Sequence, residues 1–476
     1  MKFVKRRSSR RGNSLLLEHR VAVKAMVATL TAIALIAVAP LIARPLSSAL
    51  FKVDPELHSI LMAGGEAEAY IAHSSAFNPN VKSLKQWRFG DITITKAILS
   101  KSDLERLAVS PQVISIVAIK EARHAPLYSL DPSEYPFRDI DIDNEFHEAC
   151  GPWYGRNVTI AIIDTGIDYT HPDFYDEHNR SVIVVMASML YKSVETGQYI
   201  IWIPYVNGTM EDLLALDMQL WERYGEPAFL DIHGHGTHCA GIAVGRGWAS
   251  KGKYRGIAPE ARLVVVKAFD KTGTATTDTC LDALKWIYDN AERYGIKVLS
   301  LSWGASYTSN GRDPLSLACN QIAEKGVFVF AAAGNAGNIP TTVVAPAVAE
   351  DVVAVGAWDA YKDKIAPFSS MGPTIDLRMK PDLMASGVMV VSCKSQFVDF
   401  PDEYEVNEHY VALSGTSMAT PTAAAIAADF IEYYRYWNGR DPTFADFTEW
   451  LLHNSRRIGP FKDFMTGIGI PMAPHS

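Results

Sequence analysis

Short, strongly β-forming apolar runs dominate the chain from Asn157 onward. "NVTIAIID", "ARLVVVKAF", "GIKVLSLSWG", "GVFVFAAAGN" and "DVVAVGAW" are nearly continuous in aliphatic and aromatic residues. Between several of them the period lengthens to that of a helix, as in "TDTCLDALKWIYDNAERY" and "DPLSLACNQIAEK". A strand without polar alternation has both faces covered, and strands alternating with helices build such a sheet. The pattern predicts an α/β fold, a mostly parallel central sheet with helices on both faces. In sheets of this kind functional groups gather at the carboxyl ends of the strands.

The texture before residue 126 is different. "DITITKAILS" alternates as a half-buried strand does, "SKSDLERLAV" reads as a capped helix, and "QVISIVAIK" returns to strand. These runs predict a small α+β unit over residues 55–125. Residues 126–150 are rich in charge, proline and aromatic side chains, lack periodicity, and read as a linker or processing region. At the start of the chain, residues 1–24 carry eight Lys or Arg against one Glu, and residues 25–43 are nineteen positions without a charge. That order marks residues 1–49 as a signal peptide or a membrane anchor, with a core helix as the bland alternative. Either of the first two places the rest of the chain outside the cytoplasm, secreted or tethered through residues 25–43.

Composition narrows the classes. With 476 residues, 48% of them hydrophobic, the chain can bury a substantial core. A net charge of −8 offers no broad basic surface for nucleic acid. The five cysteines are scattered without a CxxC pair, which argues against a structural zinc site or a dense disulfide framework.

Four polar positions stand at element ends. Asp164 closes a strand in "AIIDTGIDYTHPDF", and Asn335 follows another in "VFVFAAAGNAG". His233, His235 and His238 crowd the glycine-rich "DIHGHGTHCAGIAVG", and Ser417 opens an alanine-rich helix in "LSGTSMATPTAAAIAADF". Taken singly each has an ordinary reading: a turn aspartate, a turn asparagine, packed histidines, a helix-capping serine. A lone DTG also suggests half of an aspartic dyad, but the chain has no second DTG or DSG. The histidine cluster suggests a metal, but lacks the carboxylate spacing of HExxH.

Together, in the order Asp, His, Asn, Ser, these segments resemble the subtilisin-like serine proteases, the subtilase family. "AIIDTGIDYTHPDF", "HGTHCAG", "AAAGNAG" and "GTSMATP" look like that family's Asp, His, oxyanion-hole and Ser motifs. The resemblance extends through "FSSMGPTIDLRMKPDLMASG" and implies a subtilisin-like catalytic domain over residues 151–476. It implies Ser417 as nucleophile, His235 as general base, Asp164 as its orienting carboxylate and Asn335 as oxyanion donor. It leaves His233 and His238 to packing. The implied partner is an extended polypeptide substrate, held by Ser302, Trp303 and Gly304, by Ala332, Ala333 and Gly334, and on the opposite edge by Thr272, Gly273 and Thr274. Trp303 stands where smaller aliphatic residues are usual. Residues 55–125 resemble, more loosely, the family's propeptides, which implies an intramolecular inhibitor and an autoprocessed precursor.

Two departures qualify the likeness. Residues 181–231 look inserted between the Asp and His motifs. No cofactor is required for the chemistry, but the family admits structural calcium, with Asp173 as the candidate ligand. The loop that would complete that site reads "GRGWASKGKYRG", whose Lys and Arg side chains supply no oxygen ligands. The alternative function is a catalytically silent, protease-like binding module.

Overall fold

The structure, a computed structural model, describes residues 52–119, 121–123, 152–305, 307–459 and 462–472. The expectations for residues 1–49 and 126–150 lie outside these. Among the described residues no helix is long and apolar enough to cross a membrane.

The N-terminal unit contains helix α1 (Pro55–Met62), strands β1 (Ala67–Ser74), β2 (Lys82–Phe89) and β3 (Ile92–Leu99), helix α2 (Lys101–Ala108) and strand β4 (Val113–Ala118). The strands pair antiparallel in the order β2-β3-β1-β4. Helix α2 starts where the sequence allows a capping box: the Ser100 side chain accepts from the Asp103 backbone, and the Asp103 carboxylate accepts in return. Because side chains alternate across a strand, the sheet has two different loyalties. Ala69, Ile71, Ala97 and Leu99 pack under α1 and α2 with Leu57, Leu61, Leu104 and Leu107. Tyr70, Ala72, Trp87, Phe89 and Ile94 face the other way and join the core of the second unit.

A short strand, β5 (Glu121–Arg123), leads out of this unit. The second unit then runs β6 (Thr159–Asp164), β7 (Ile183–Lys192), β8 (Tyr199–Trp202), α3 (Met210–Tyr224), α4 (His235–Val244) and β9 (Arg262–Lys267). It continues through β10 (Thr274–Thr276), α5 (Thr277–Asn290), β11 (Ile296–Leu301), β12 (Gly304–Ala305), α6 (Pro314–Glu324), β13 (Phe328–Ala332), β14 (Val352–Asp359), β15 (Lys364–Ile365) and β16 (Leu383–Ser386). Strands β17 (Val390–Cys393), β18 (Glu405–Asn407) and β19 (Tyr410–Leu413) precede the long helix α7 (Thr416–Asn438) and α8 (Phe444–His453).

The central sheet has the order β15-β14-β13-β11-β6-β9-β7-β8, with β16 also beside β14. All its pairings are parallel except those of β15 and β8. Alternation again divides each strand between two layers. Ile160, Ile162, Leu263, Val265, Phe328 and Phe330 pack with α4 and α7, whereas Ala161, Ile163, Val264, Val266, Val329 and Ala331 pack with α5 and α6. Two covered faces explain the unbroken apolar runs, and the topology matches the α/β expectation. Residues 181–231 divide into two kinds of structure. Strand β7 is integral to the sheet, parallel to β9, while β8 extends it at the edge and α3 packs on the core through Leu213. Asp217 on α3 ties the excursion down by accepting from the Ala228, Phe229 and Leu230 amides at 2.7, 3.1 and 2.8 Å.

Candidate active site

Strand β6, in the interior of the sheet, carries Asp164 at its carboxyl end, fully buried. Its Oδ1 accepts from the Thr165 amide at 2.7 Å and from His235 Nδ1 at 2.8 Å. The histidine is the first residue of α4, and a second carboxylate sets that helix start. Asp231 accepts from the amides of His233, Gly234 and Thr237 at 3.1, 2.8 and 2.8 Å and from the Thr237 hydroxyl at 2.7 Å. The Thr237 amide would otherwise be an orphan donor of the first turn. The Thr165 hydroxyl joins both carboxylates to α4: it donates to Asp231 at 2.9 Å and accepts from Gly236 N at 2.9 Å. Close approach explains Gly236, since a Cβ there would lie 2.2 Å from the Gly166 carbonyl.

Burial, the largest single influence, pushes the His235 imidazole toward neutrality, but the charge and hydrogen bond of Asp164 together with Cys239 outweigh it and hold the ring well above the ordinary histidine value. The neighbouring histidines go the other way. Burial, then the charge of His235, pushes His238 down to about 3. Its Nε2–H donates to the Val390 and Val411 carbonyls at 3.0 and 3.1 Å, so it braces α4 against β17 and β19. His233 is likewise lowered, by burial first.

Ser417 is the second residue of α7 and is buried. Its hydroxyl donates to the Ser302 carbonyl at 2.9 Å, and the Ser302 hydroxyl donates back to the Ser417 carbonyl at 2.9 Å. The helix tolerates this exchange because Pro421, four residues on, has no N–H to claim that carbonyl. Cys239, one turn along α4 from His235, takes the remaining approach: its Sγ lies 3.5 Å from the Ser417 carbonyl and 3.8 Å from His235 Nδ1. The thiol thus links the histidine helix to the serine helix. Burial, the largest influence, raises its pKa and keeps it a thiol.

Asn335 follows β13 and faces the start of α7. Its Oδ1 accepts from the Thr416 amide and the Thr416 hydroxyl, both at 2.9 Å. That fixes the amide orientation and leaves Nδ2 on the side of Gly415, where a Cβ would stand 3.2 Å from it. A side chain at 415 would crowd this donor. The Asn335 Nδ2–H and the amides opening α7 therefore share one edge of the site, where helix geometry also concentrates positive potential.

The cleft edges are occupied by the chain itself. Strand β5 lies between β10 and β12, antiparallel to both: Arg123 stands opposite Thr274 and Gly304, and Ala122 opposite Ala275 and Ala305. Ala122 is fully buried. Several expected cleft residues are displaced from the roles assigned to them. Of Thr272, Gly273 and Thr274, only Thr274 is in the pairing strand. The other two form the preceding turn around the Asp270 carboxylate, with Gly273 at φ +71°. Trp303 is no rim residue. Its ring is buried against Phe269, centroids 5.4 Å apart, and its indole N–H donates to the Ile163 carbonyl at 3.0 Å. Ala332 ends β13, Ala333 follows it, and Gly334 N donates to the Thr416 hydroxyl at 3.3 Å, so this segment abuts the helix that carries Ser417.

Asp173 does not fit calcium. Its Oδ1 accepts from Ala249 N at 3.0 Å, and its Oδ2 from the Tyr410 hydroxyl at 2.6 Å and the Cys393 thiol at 3.7 Å. Both oxygens already serve as acceptors, and the nearby donor atoms are those of His171 and Cys393 rather than the oxygens a hard cation needs.

Sequence reasoning missed Asp231, Thr165, Cys239, Thr416 and strand β5. Only Asp231 carried a local signal, an acidic residue just before a helix start. The others depend on contacts between distant segments.

Fold and site together define an α/β protein whose aspartate, histidine, asparagine and serine meet at strand and helix ends. The chain belongs to the subtilase family, whose model matches residues 155–469. It is 35% identical over 290 residues to the serine protease AprX of Bacillus subtilis, a match covering 58% of this chain and 57% of that one. It is 36% identical over 273 residues to thermitase of Thermoactinomyces vulgaris, covering 57% of this chain and 74% of the other. The chain therefore spans little more than half the length of AprX. The Clostridium perfringens CspB protease structure shares the fold at a TM-score of 0.54 and 17% identity, over 69% of this chain and 97% of that one.

Proposed function

We propose that this chain is a serine endopeptidase made as a precursor. The observation that carries the reading is the 2.8 Å Asp164–His235 contact, bridged through Cys239 to Ser417 and flanked by the Asn335 amide. His235 Nε2 takes the Ser417 proton as the hydroxyl turns from Ser302 to attack a peptide carbonyl, then returns it to the leaving amine. Asp164 holds the imidazole in the required tautomer and stabilises its charged form. Asn335 Nδ2 and the Ser417 amide receive the oxyanion, and water releases the acyl group. No step needs a metal.

The N-terminal unit acts as the inhibitor in this reading. In support, β5 fills the strand position between β10 and β12, where an extended substrate would pair by main-chain bonds. Cleavage within residues 126–150 separates the two units, and the charge pattern of residues 1–43 sends the precursor out of the cytoplasm, with or without a retained anchor. A silent binding module is the competing reading.

The test is intact mass and N-terminal sequencing of the full chain beside Ser417→Ala. The proposal expects the wild-type chain to lose roughly its first 120–150 residues and the variant to keep those that follow the signal. Turnover of a peptide substrate should fall about 10⁶-fold in the variant. Equal peptide hydrolysis by both proteins would sink the assignment of Ser417.

A further inference from the structure

The excursion over residues 181–231 returns to the site through residues 225–231, and it makes two attachments there. The far one is Asp231, which takes the amides at the start of α4. The near one reaches a different part of the cleft. The carbonyl of Gly225, which closes α3, accepts from Lys271 Nζ at 3.0 Å. Glu226 turns its carboxylate the same way. Its Oε2 accepts from Lys271 N at 2.8 Å, and its Oε1 pairs with Lys267 Nζ at 2.8 Å. Lys267 ends β9 almost fully buried, and its Nζ also donates to the Leu230 carbonyl at 2.7 Å. The Glu226 main chain is pinned as well, since its carbonyl accepts from the Tyr191 hydroxyl at 2.6 Å. An ionised acceptor makes the stronger kind of hydrogen bond, so a largely buried, charge-paired carboxylate fixes the Lys271 amide firmly.

What that amide controls is the approach to β10. Lys271 lies in the turn where the Asp270 carboxylate accepts from the Thr272 and Thr274 amides at 2.8 and 3.2 Å. Thr274 opens β10, one of the two strands that hold β5. Ahead of the turn, the Ala268 and Phe269 amides donate to the Asp164 carbonyl at 3.0 and 3.2 Å. The turn therefore has one anchor on the strand that carries Asp164 and another on the excursion.

We infer that Glu226 is a positioning residue for peptide binding: it holds the turn over residues 270–273 so that β10 meets an extended substrate in register. The inference rests on the endopeptidase reading above and adds to it a residue from the excursion. The carboxylate is engaged by Lys267 and Lys271, so it acts through β10 and not on the chemical step. Its effect depends on substrate length. Ser302, which exchanges hydrogen bonds with Ser417, precedes Gly304 by two residues, and Arg123 stands opposite both Gly304 and Thr274. A peptide paired as β5 is paired meets β10 only from its third residue before the cut onward.

The experiment uses the full chain, its Glu226→Ala, Glu226→Gln and Lys271→Ala variants, and Ser417→Ala. A small fluorophosphonate probe first counts reactive Ser417. A dipeptide anilide and a pentapeptide anilide ending in the same residue are then compared per labelled serine. In Glu226→Ala, KM for the pentapeptide should rise about tenfold with kcat nearly unchanged, because the lost interaction serves ground and transition states alike. KM for the dipeptide should stay where it is. Glu226→Gln keeps an acceptor for the Lys271 amide and should recover most of the loss. Lys271→Ala removes an exposed side chain and its bond to Gly225, and should raise the pentapeptide KM about threefold. If Glu226→Ala fails to fold because Lys267 is left buried without its partner, Lys271→Ala and Glu226→Gln decide. Equal changes for both peptides, or a pentapeptide KM unmoved in every folded variant, overturns the positioning role and leaves the endopeptidase reading standing. No labelling of the wild type beyond the Ser417→Ala background overturns that reading, and the positioning role falls with it.

Discussion

The N-terminal unit and the unit behind it use the same device, a sheet whose alternate residues serve different faces, to opposite ends. In the second unit both faces belong to its own core, and α4, α5, α6 and α7 cover them. In the first, only one face is its own. Its small core is built from α1, α2 and alternate strand residues, and the other face is lent to its neighbour. The attachment is partly polar. Trp87 and Lys85 donate to Asp282 at 2.7 and 2.6 Å, Lys96 pairs with Asp278 at 3.0 Å, and the Tyr70 hydroxyl also reaches Asp278. Asp278 and Asp282 are one turn apart on α5, so they present one acidic edge. A unit with one private face should unfold more readily on its own than a unit with two. Under the precursor reading proposed above, that asymmetry would suit a removable segment beside a permanent one.

The largest effects should come from the second unit. Asp164→Asn should lower kcat by about 10⁴-fold, leaving the residual rate of binding and oxyanion stabilisation. It should also move the acid limb of the pH–rate profile to lower pH. The sign follows from the histidine: Asp164 holds His235 up, only the neutral ring accepts the serine proton, and without the carboxylate the ring loses its proton earlier. An acid limb that stays in place would detach Asp164 from that role. Asn335→Ala should cost about 10²–10³ in kcat with KM nearly unchanged, because its amide meets charge that exists only in the transition state. A loss confined to KM would make Asn335 a ground-state contact.

Smaller effects sharpen the contrast between the units. Replacing Asp278 and Asp282 together by Ala should weaken inhibition by the separated N-terminal unit by about tenfold or more, since hydrogen bonds to charged groups contribute ~1.5–3 kcal/mol each. The melting temperature of the second unit alone should barely move. An unchanged inhibition constant would assign the attachment to the apolar face and β5. The smallest expected effect concerns Asp429, buried on α7, whose two oxygens have no hydrogen-bond partner among the described residues. Burial, then the charge of Glu432, raises its pKa well above the usual carboxylate range. A raised carboxyl costs stability once the pH passes the unfolded value of about 3.9, because the unfolded chain ionises where the folded one cannot. Asp429→Asn should therefore raise the melting temperature of the second unit at pH 8 more than at pH 4. Equal shifts at both would show that the proton is not involved.

Much of the fold is legible along the chain because its cues are local. The unbroken apolar runs of β6, β9, β11, β13 and β14 need only one strand's residues to be read, and so does the capping box at Ser100 and Asp103. Asp164, His235, Asn335 and Ser417 are equally visible, each at an element end among glycines that leave room for close approach. The middle of the chain reads less well. Residues 183–192 look like part of an excursion, yet they form an interior strand, because membership of a sheet is decided by the neighbour, here β9, and not by the strand.

What the sequence by itself determined is the order of elements, the two-faced sheet and the four polar residues at their ends. Only the tertiary structure decided the rest of the site. Thr272 and Gly273 fall into a turn, Trp303 turns inward to Ile163, and the Asp173 oxygens are taken by Ala249, Tyr410 and Cys393. Cys239 reaches the Ser417 carbonyl, β5 enters the cleft, and Glu226 ties the turn before β10 to the excursion. The physical reason is range. Periodicity, capping and glycine's freedom act within a few residues, whereas the filling of a gap depends on segments far apart in the chain arriving at one place.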